Sequence, residues 1–405
     1  MEILVVVDAT NSRAPDGPAT VVAGLSLLER SLRLAEICGG DEILLCTTNP
    51  SALPPCDIAH RKISVQPISP GDPLDPRLRP DIVLFLDAET VYDRSYLQQV
   101  VKSFTDTDPG EAVRTADALL AMKRLAPDEK LQPTPEKLLK HRYNFPPRLS
   151  GGWTVPVDSR RAAQRAERRI WNSCRKPEDG IISRHLNRHF SLAISRRLAP
   201  TSLRPDHVTA VTFFLGIAAA LAAAIGGYAG FLVAGVLYQL NSIIDGVDGE
   251  LARARYEFSL RGEWLDTLSD DLSDLLIYLG IGIGAWRTAV DIPGPFEPTA
   301  WLVLGIAAAV AKLATIAIYY RWLARRGRGD LLSFQWSFEK NSDGNTTDRI
   351  LRSLRYLFRK DFVVFLAMIM SFGGYLPHLL LLLAPGNLVV ALSVLLQHRK
   401  FSAKF

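Results

Sequence analysis

The sequence predicts a protein of two parts, an α/β domain followed by an all-α membrane domain of six transmembrane helices. Short apolar runs alternate with helical segments in the first part, long runs almost without charge fill the second, and a strongly basic segment lies between them. We place the α/β domain at residues 1–150, a basic helical linker at 151–178 and the membrane domain at 179–405.

The N-terminal part alternates strand-like and helical segments. The runs EILVVV, EILLCT, RKISVQPI and DIVLFLDAETVYD are rich in apolar and β-branched residues, and LSLLERSLRLAEICGG has the composition of a helix. Continuous apolar runs between helices are typical of buried parallel strands, which predicts a Rossmann-type sheet. Asp87 then lies at a carboxyl end of that sheet, where such folds bind ligands. The start, MEILVVVDAT, is typical of a core strand rather than a signal peptide, so we expect this part in the cytoplasm.

The distribution of charge and the spacing of the cysteines indicate which partners and which kinds of site to expect. The formal net charge is +5, with basic residues clustered before the long apolar runs and again between Arg321 and Lys360. Basic segments that flank apolar spans usually face anionic headgroups on the cytoplasmic side, and we expect this rather than a nucleic-acid partner. The four cysteines form no CxxC pair and have no histidine at metal-binding spacing, so we expect them to be packing residues.

The segment DGIISRHLNRHFSLAISRRLA predicts an amphipathic helix at the headgroup layer. An ordinary surface helix of the soluble domain is the alternative. The apolar positions are Ile182, Leu186, Phe190 and Ile194, and the opposite, basic positions are Arg184, Arg188 and Arg197.

Six segments after this helix approach the roughly 20 apolar residues that a bilayer crossing requires. They are 207–226, 228–248, 264–286, 299–321, 358–374 and 376–396. An even number of spans puts both ends of the domain on one side, and the basic loops place that side in the cytoplasm.

Carboxylates crowd the region where the second and third spans meet. Asp245 and Asp248 are three residues apart, and Asp266 and Asp270 are four apart, so each pair shares one helical face. An antiparallel helix pair brings the four together, and such a density of negative charge calls for hard divalent cations, Mg²⁺ or Mn²⁺. Two such ions also suit a diphosphate. The alternative is a solvated acidic loop.

These positions carry a resemblance to a known family. The stretch DGVDGELARARYEFSLRGEWLDTLSD resembles the DxxDGxxAR…GxxxDxxxD signature of the CDP-alcohol phosphotransferase family at each of its eight fixed positions. The resemblance implies that Asp245, Asp248 and Asp266 are metal ligands and that Asp270 is both a metal neighbour and the catalytic base. It also implies that four residues hold the cytidine diphosphate: Gly249, Ala252, Arg253 and Gly262. Homodimers are common in the family, so we expect one here.

Two further features concern the acceptor side and the segment before the first span. Lys312 lies within a span, where a charge indicates a function. It binds an acceptor phosphate, or alternatively it snorkels or pairs with an aspartate of the cluster. Arg359 and Asp361 resemble the entry to the fifth span in relatives that use phosphorylated polyols, and Arg255 and Arg321 are weaker candidates for acceptor binding. The family's Pro-Asn-x-x-Thr is replaced by RPDHVT, with Asp206 in place of the asparagine and Thr209 retained.

The N-terminal order of segments resembles nucleotidyltransferase domains that are fused to some members of the family and make their CDP-alcohol. A Gly-rich loop with Arg and then Pro-Lys is replaced here by DATNSRAPDGPATVVAG, which retains only Arg13 of the basic set. Because backbone amides and cations hold the triphosphate in such sites, we expect a degenerate domain, with an active cytidylyltransferase as the alternative.

The sequence thus predicts a membrane transferase that moves a substituted phosphate from a CDP-alcohol to a second alcohol, with inositol phosphate as the favoured type of acceptor. A cation transporter or channel that uses the aspartates is the rival from another class. Transporters show broken helices in repeated halves, and no internal repeat is visible in this sequence.

Overall fold

The computed structural model describes residues 3–10, 13–48, 64–69, 82–105, 112–114, 120–123, 152–176, 179–288, 296–326 and 359–402. The chain divides into two compact units, one of residues 1–174 with 254–256 and the other of 175–253 with 257–405. Cys56 and most of the basic segment between Arg321 and Lys360 lie outside the described residues.

The N-terminal unit is built on a six-stranded sheet in the order β5-β4-β1-β6-β9-β8. The strands are β1 Ile3–Asp8, β4 Glu42–Cys46, β5 Ser64–Ile68, β6 Ile82–Asp87, β8 Ala112–Arg114 and β9 Leu120–Lys123. Strands β5, β4, β1 and β6 are parallel, which confirms the predicted parallel sheet, and β9 runs antiparallel to β6. The register pairs Asp8 with Asp87. The chain winds outward from β1 in both directions, so these two carboxylates lie at the point where the strand order reverses.

Two helices and two separate two-stranded sheets, β2-β3 and β10-β7, accompany the six-stranded sheet. Helix α1 spans Leu27–Ile37, where the Ser26 side chain accepts the Glu29 N–H and caps the first turn. Helix α2 spans Arg94–Thr105. The small strands are β2 Val21–Val22, β3 Leu25–Ser26, β7 Thr90–Tyr92 and β10 Thr154–Pro156.

The described cysteines of this unit, Cys38, Cys46 and Cys174, are buried and form no disulfide. Burial raises the pKa of the Cys38 thiol to about 12, because a thiolate would lose its hydration there. These cysteines therefore behave as packing residues, as the sequence predicts.

The segment that we expected to be a linker belongs to the N-terminal unit. Helix α3, Arg160–Ser173, buries one face there, although its other positions are strongly basic. Ala162, Ala166, Ile170 and Trp171 recur at helical spacing and are at most 5% exposed. The arginine content suggested a solvated connection, whereas the small and aromatic residues at four-residue spacing make this helix part of the core.

The second unit is helical in the residues that the structure describes. A π-helical turn, Ser183–Asn187, leads into α4 at Arg188–Leu198. A 3₁₀ turn, Leu376–Leu379, precedes the last helix. The longer helices are α5 Pro205–Ile225, α6 Gly227–Arg255, α7 Leu260–Arg287, α8 Pro298–Arg326, α9 Lys360–Phe372 and α10 Leu380–Ser402.

Four of the six predicted spans are long and apolar enough to cross a membrane within the described residues: Pro205–Ile225, Gly227–Arg255, Pro298–Arg321 and Leu376–Leu395. The predicted third span forms α7, a helix of 28 residues whose first half carries the acidic residues, so it does not qualify by composition. The predicted fifth span forms α9, whose 13 residues extend about 20 Å, less than the roughly 30 Å of a hydrocarbon core.

Small residues let the long helices approach closely. A Cβ atom at Gly282 of α7 would lie 3.0 Å from the Cα atom of Gly305 on α8. Gly280 lies against the carbonyl oxygen of Ala220 on α5, where a Cβ would overlap it. Contacts of this kind between small residues are typical of membrane helices, and they fix α7, which carries half of the acidic residues, against both neighbours.

Candidate functional site

Three of the four predicted aspartates converge on one point. Asp245 of α6 and Asp266 and Asp270 of α7 each offer a carboxylate oxygen, and these oxygens lie within 4.8 Å of one another. The three residues are partly buried. A convergent set of carboxylate oxygens is the donor chemistry that Mg²⁺ and Mn²⁺ prefer. The donor set therefore fits the cation that the sequence predicts.

Asp248, the fourth aspartate, has other partners. Its Oδ2 atom accepts a hydrogen bond of 2.6 Å from the Thr209 hydroxyl, and its Oδ1 atom accepts one from the Gly249 N–H. It is only 6% exposed. It stands outside the group of three converging carboxylates, and its role as a metal ligand stays a prediction. The retained threonine of RPDHVT was the sequence signal for this contact.

A lysine faces the acidic cluster from the start of α9. Lys360 Nζ lies 2.8 Å from Asp270 Oδ1 and 3.8 Å from Asp274 Oδ1. The sequence indicated its neighbours Arg359 and Asp361 but not Lys360, because nothing in the local pattern distinguishes one cation of RKDF from the next. The positive charge next to Asp270 partly offsets the negative charge of the aspartates.

Lys312 of α8 lies between two further carboxylates. Its Nζ atom is 2.9 Å from Asp271 Oδ1 and 3.2 Å from Asp274 Oδ2. Asp274 also accepts a hydrogen bond of 2.7 Å from the Tyr238 hydroxyl, and Asp271 accepts one of 3.1 Å from Tyr320. Pairing with an aspartate was one alternative expected of Lys312, but its partners Asp271 and Asp274 lie outside the signature. Acceptor binding stays a prediction.

The small and basic residues of the signature lie along the connection between α6 and α7. A Cβ at Gly249 would lie 3.0 Å from Arg253 Nη1, so the guanidinium covers the glycine, while Ala252 is partly buried. Gly262 donates its N–H to the Ser259 hydroxyl at 2.9 Å and thereby helps to cap α7. The nucleotide-binding role of these residues stays a prediction.

A polar cavity of about 330 Å³ opens beside Asp245. Its wall comes from the π-helical turn, α4, α6 and the start of α9. The lining residues include Ser183, Asn187, Arg188, Ser242, Asp245 and Lys360. The cavity therefore has both a carboxylate of the acidic cluster and cations in its wall.

The helical pattern predicted that Arg188 lies on an exposed basic face. In the structure Arg188 is only 8% exposed. Its guanidinium donates to Asp179 Oδ1 and Oδ2 at 2.8 and 2.9 Å and to Glu250 Oε1 at 2.7 Å. Burial alone would raise the pKa of Asp179, but its hydrogen bonds and ion pair with Arg188 lower that pKa. The same contacts outweigh burial at Arg188 and raise its pKa. Asp179 precedes the helix, nine residues before Arg188, and Glu250 lies 62 residues away, so helical spacing revealed neither partner.

The remaining candidates for acceptor binding are dispersed. Arg359 Nε lies 3.8 Å from Asp361 Oδ1, and Asp361 accepts the Ser183 N–H at 2.9 Å. Arg321 is exposed, and Arg255 is buried and grouped with the N-terminal unit rather than with the unit of the acidic cluster. The structure thus places Arg359 at the cavity but does not place Arg255 or Arg321 there.

In the N-terminal unit, Arg13 fills the edge of the sheet near Asp87. Its guanidinium pairs with Asp87, and its backbone N–H donates to Glu89 Oε2 at 2.6 Å. Glu89 is fully buried. Burial lowers the pKa of Arg13, but the ion pair with Asp87 and the charge of Glu89 outweigh it and raise the pKa overall. The remaining basic residue of the loop is therefore engaged within the protein.

Comparison with known proteins finds a family match within the helical unit. Residues 202–336 match the model of the CDP-alcohol phosphatidyltransferase family. A relative described as "Bifunctional IPC transferase and DIPP synthase" from Thermococcus kodakarensis is 40% identical over 141 residues, covering 33% of this chain and 31% of the relative. A protein of the same description from Aquifex aeolicus is 28% identical over 255 residues, 62% of this chain and 52% of its own length. The chain therefore spans about a third of the first relative and about half of the second.

A solved structure is also similar. The phosphatidylinositol phosphate synthase of Mycobacterium tuberculosis, solved with CDP-DAG bound, is 20% identical with a TM-score of 0.37, covering 51% of this chain and 92% of that one.

Proposed function

We propose that this chain, whose residues 202–336 match the CDP-alcohol phosphatidyltransferase family, moves a substituted phosphate from a CDP-alcohol to a second alcohol and releases CMP. The observation that carries the proposal is the convergence of Asp245, Asp266 and Asp270 within the family signature. The cavity beside Asp245 offers space for the acceptor.

The aspartates hold the metal and manage the proton in this proposal. Asp245, Asp266 and Asp270, with Asp248, would hold two Mg²⁺ or Mn²⁺ ions. When bound, such ions supply positive charge that neutralises the diphosphate and makes CMP a better leaving group. Asp270 accepts the proton of the acceptor hydroxyl while the oxygen of that hydroxyl attacks the β-phosphorus. The bond from this phosphorus to the oxygen of CMP breaks in the same reaction. General-base assistance of this kind contributes about 10²- to 10⁴-fold.

Arg253 and the two signature glycines bind the nucleotide. The Arg253 guanidinium lies over Gly249, and its planar set of N–H donors matches a phosphate group. Because neither Gly249 nor Gly262 has a side chain, the cytidine diphosphate can lie close to the backbone there, with Ala252 as a third small residue.

The cations around the cavity favour an acceptor that carries a phosphate. Arg359 and Lys360 line it together with Arg188, and a phosphorylated polyol of the inositol phosphate type supplies both a hydroxyl for attack and an anion for these groups. The donor is of the CDP-diacylglycerol, CDP-archaeol or CDP-inositol type. The names of the relatives, IPC transferase and DIPP synthase, support this choice of substrates.

We place the enzyme in a membrane, with the active site and both termini on the cytoplasmic side. Four helices have the length and composition of spans, and α7 and α9 would complete a bundle of six among the described residues. Arg196 and Arg197 near the end of α4 are exposed, which suits contact with anionic headgroups. A homodimer is part of the same proposal.

For the N-terminal unit we propose a nucleotidyltransferase-like fold without transferase activity. Arg13, which would face a triphosphate, is paired with Asp87 and lies beside Glu89. The alternative is a bifunctional enzyme that also makes its own CDP-alcohol, as the word "Bifunctional" in the names of the relatives suggests.

The test is release of CMP. Purified protein in mixed micelles would be incubated with Mg²⁺, inositol phosphate and a panel of CDP-alcohols, and CMP would be quantified with and without the acceptor. We expect acceptor-dependent CMP from one donor and none from the Asp270→Asn variant. If wild type and variant release equal amounts with every donor, the proposal fails, and cation flux into proteoliposomes then tests the transporter alternative.

A further inference from the structure

The carboxylate of Glu250 is fully buried in the helical unit and accepts hydrogen bonds from Arg188, Ser191 and Ser195. Its Oε1 atom accepts hydrogen bonds of 2.7 Å from the Ser191 hydroxyl and from Arg188 Nη1, and its Oε2 atom accepts one of 2.6 Å from the Ser195 hydroxyl. The side chain is 0% exposed. Glu250 occupies a variable position of the signature, between Gly249 and Arg253, so the signature itself gives it no role.

Arg188 is held in a fixed plane by two carboxylates. Asp179 receives hydrogen bonds from Nε and Nη2, while Glu250 receives one from Nη1. A guanidinium has five N–H donors, so these contacts leave one hydrogen on each terminal nitrogen. Arg188 also lines the cavity beside Asp245.

The backbone around this contact brings α4 close to α6. A Cβ at Gly246, the residue after Asp245, would lie 3.2 Å from Arg188 Nη1 and 3.4 Å from the Ser191 hydroxyl. The π-helical turn Ser183–Asn187 directly precedes Arg188, and turns of this kind often occur at functional sites. The guanidinium therefore lies against the helix segment that carries Asp245.

We propose that Glu250 is a positioning residue, whose fixed negative charge orients Arg188 so that its two remaining N–H groups bind the phosphate of the acceptor. This inference rests on the proposed function for the identity of the ligand. Arg188 meets the anion in this arrangement, and Glu250 acts through Arg188. Because Asp179 and Glu250 bring two negative charges to one guanidinium, they fix its geometry, while Arg359 and Lys360 supply the cavity with further positive charge.

The test uses Glu250→Gln, which keeps the size of the side chain and removes its charge. Ser195→Ala is the matched control, because it removes one hydrogen bond to the same carboxylate without touching Arg188. Inorganic phosphate and CMP serve as probes, and their affinities are measured by calorimetry on purified protein with Mg²⁺. We expect Glu250→Gln to weaken phosphate binding about tenfold or more, the effect of one charge-assisted hydrogen bond, with CMP binding within twofold of wild type.

Kinetics gives the second readout. In the CMP-release assay, Glu250→Gln should raise KM for the phosphorylated acceptor while KM for the CDP-alcohol and kcat change less than twofold. A merely structural role would instead lower kcat, both affinities and the melting temperature together, and that result overturns the inference. Equal phosphate affinities of Glu250→Gln and wild type would overturn it as well.

Phosphate binding separates the positioning role from the proposed transferase activity, and a second variant covers the case in which Glu250→Gln does not fold. Phosphate binding needs no turnover, so a protein that releases no CMP but loses phosphate affinity in Glu250→Gln refutes the proposed transferase and retains the positioning role. If Glu250→Gln does not fold, Asp179→Asn decides, because it removes the other carboxylate from the same guanidinium. It should weaken phosphate binding selectively, and an unchanged affinity overturns the inference.

Discussion

The hydroxyl of Thr209 on α5 donates a hydrogen bond of 2.6 Å to Asp248 on α6. Both residues are buried, so this contact connects the first long helix to α6, which carries Asp245 of the candidate metal site. The Gly249 N–H donates to the other oxygen of the same carboxylate. Asp248 is thereby held in one orientation, next to a group of three carboxylates that it does not join directly.

We first predict that Thr209→Val lowers CMP release and raises the Mg²⁺ concentration needed for half-maximal activity. Loss of an oriented hydrogen bond to a metal-site carboxylate typically costs about 10- to 100-fold. Thr212→Val is the control, because the Thr212 hydroxyl donates to the carbonyl oxygen of Val208 in its own helix. Thr209→Ser should restore most activity, and equal Mg²⁺ requirements in wild type and Thr209→Val would contradict the prediction.

A second prediction concerns the three converging carboxylates. Asp266→Asn removes one negative oxygen donor from the group, so binding of Mn²⁺, followed by electron paramagnetic resonance, should weaken about tenfold or more. CMP release should fall with it, and chelation of wild-type protein should abolish activity until Mg²⁺ is restored. Asp158→Asn, an exposed position, serves as control. Unaltered Mn²⁺ affinity in Asp266→Asn would argue against a metal site here.

The third prediction tests the ion pairs of Lys312. Lys312→Met leaves Asp271 and Asp274, which are 7% and 4% exposed, without the ammonium group that lies near both. Removing one partner of a buried pair costs about 3–5 kcal/mol, so the melting temperature should drop markedly. Lys312→Met combined with Asp271→Asn should recover part of the loss, because one of the two carboxylates that lost the ammonium group is then neutral. A double variant no more stable than the single one would refute this account.

The sequence predicted those parts of the site that follow from local helical spacing. It did not predict contacts between residues that lie far apart along the chain. Asp245, Asp266 and Asp270 follow helical spacing on neighbouring helices, so their convergence was predictable from an antiparallel pair. Arg188 was placed on a polar face because its spacing fits one, and its partner Glu250 is 62 residues away. Lys312 pairs with Asp274, 38 residues away.

In the fold, too, the sequence predicted the features that depend on local patterns. Strands β1, β4, β5 and β6 were predicted because buried parallel strands carry continuous apolar runs, which are a local property. The basic segment 160–173 was misjudged because its arginines outnumber the few residues that it buries, and only the packing of Ala162 and Trp171 reveals its place in the core. Hydropathy likewise gave α9 more length than its 13 helical residues have.

The fourth prediction is a pH dependence of stability. The folded-state pKa of Asp179 lies below its ordinary value, because its contacts with Arg188 outweigh the effect of burial. A lowered folded-state pKa stabilises the protein above the ordinary value of 3.8, and this stabilisation is lost as pH falls through the folded-state pKa. Wild type should therefore melt at a higher temperature than Asp179→Asn at pH 7, and the difference should shrink below about pH 4.

Melting curves of wild type and Asp179→Asn from about pH 3 to pH 7 check this prediction. The pH steps are closest together near the ordinary aspartate pKa of about 3.9. The exposed variant Asp158→Asn should show no comparable difference at any pH. A gap between wild type and Asp179→Asn that is constant with pH would show that the ion pair with Arg188 does not lower the pKa of Asp179.

The last prediction concerns the N-terminal unit, where the Arg13 guanidinium pairs with Asp87 and its backbone N–H binds Glu89. Since Arg13 is engaged in this way, wild-type protein should release no pyrophosphate from CTP in the presence of Mg²⁺ and inositol phosphate. Arg13→Gln should lower the melting temperature of the protein, because the largely buried Asp87 loses its cation. Arg160→Gln, at an exposed position of α3, is the matched control. Acceptor-dependent pyrophosphate release by wild type would instead establish an active cytidylyltransferase and a bifunctional chain.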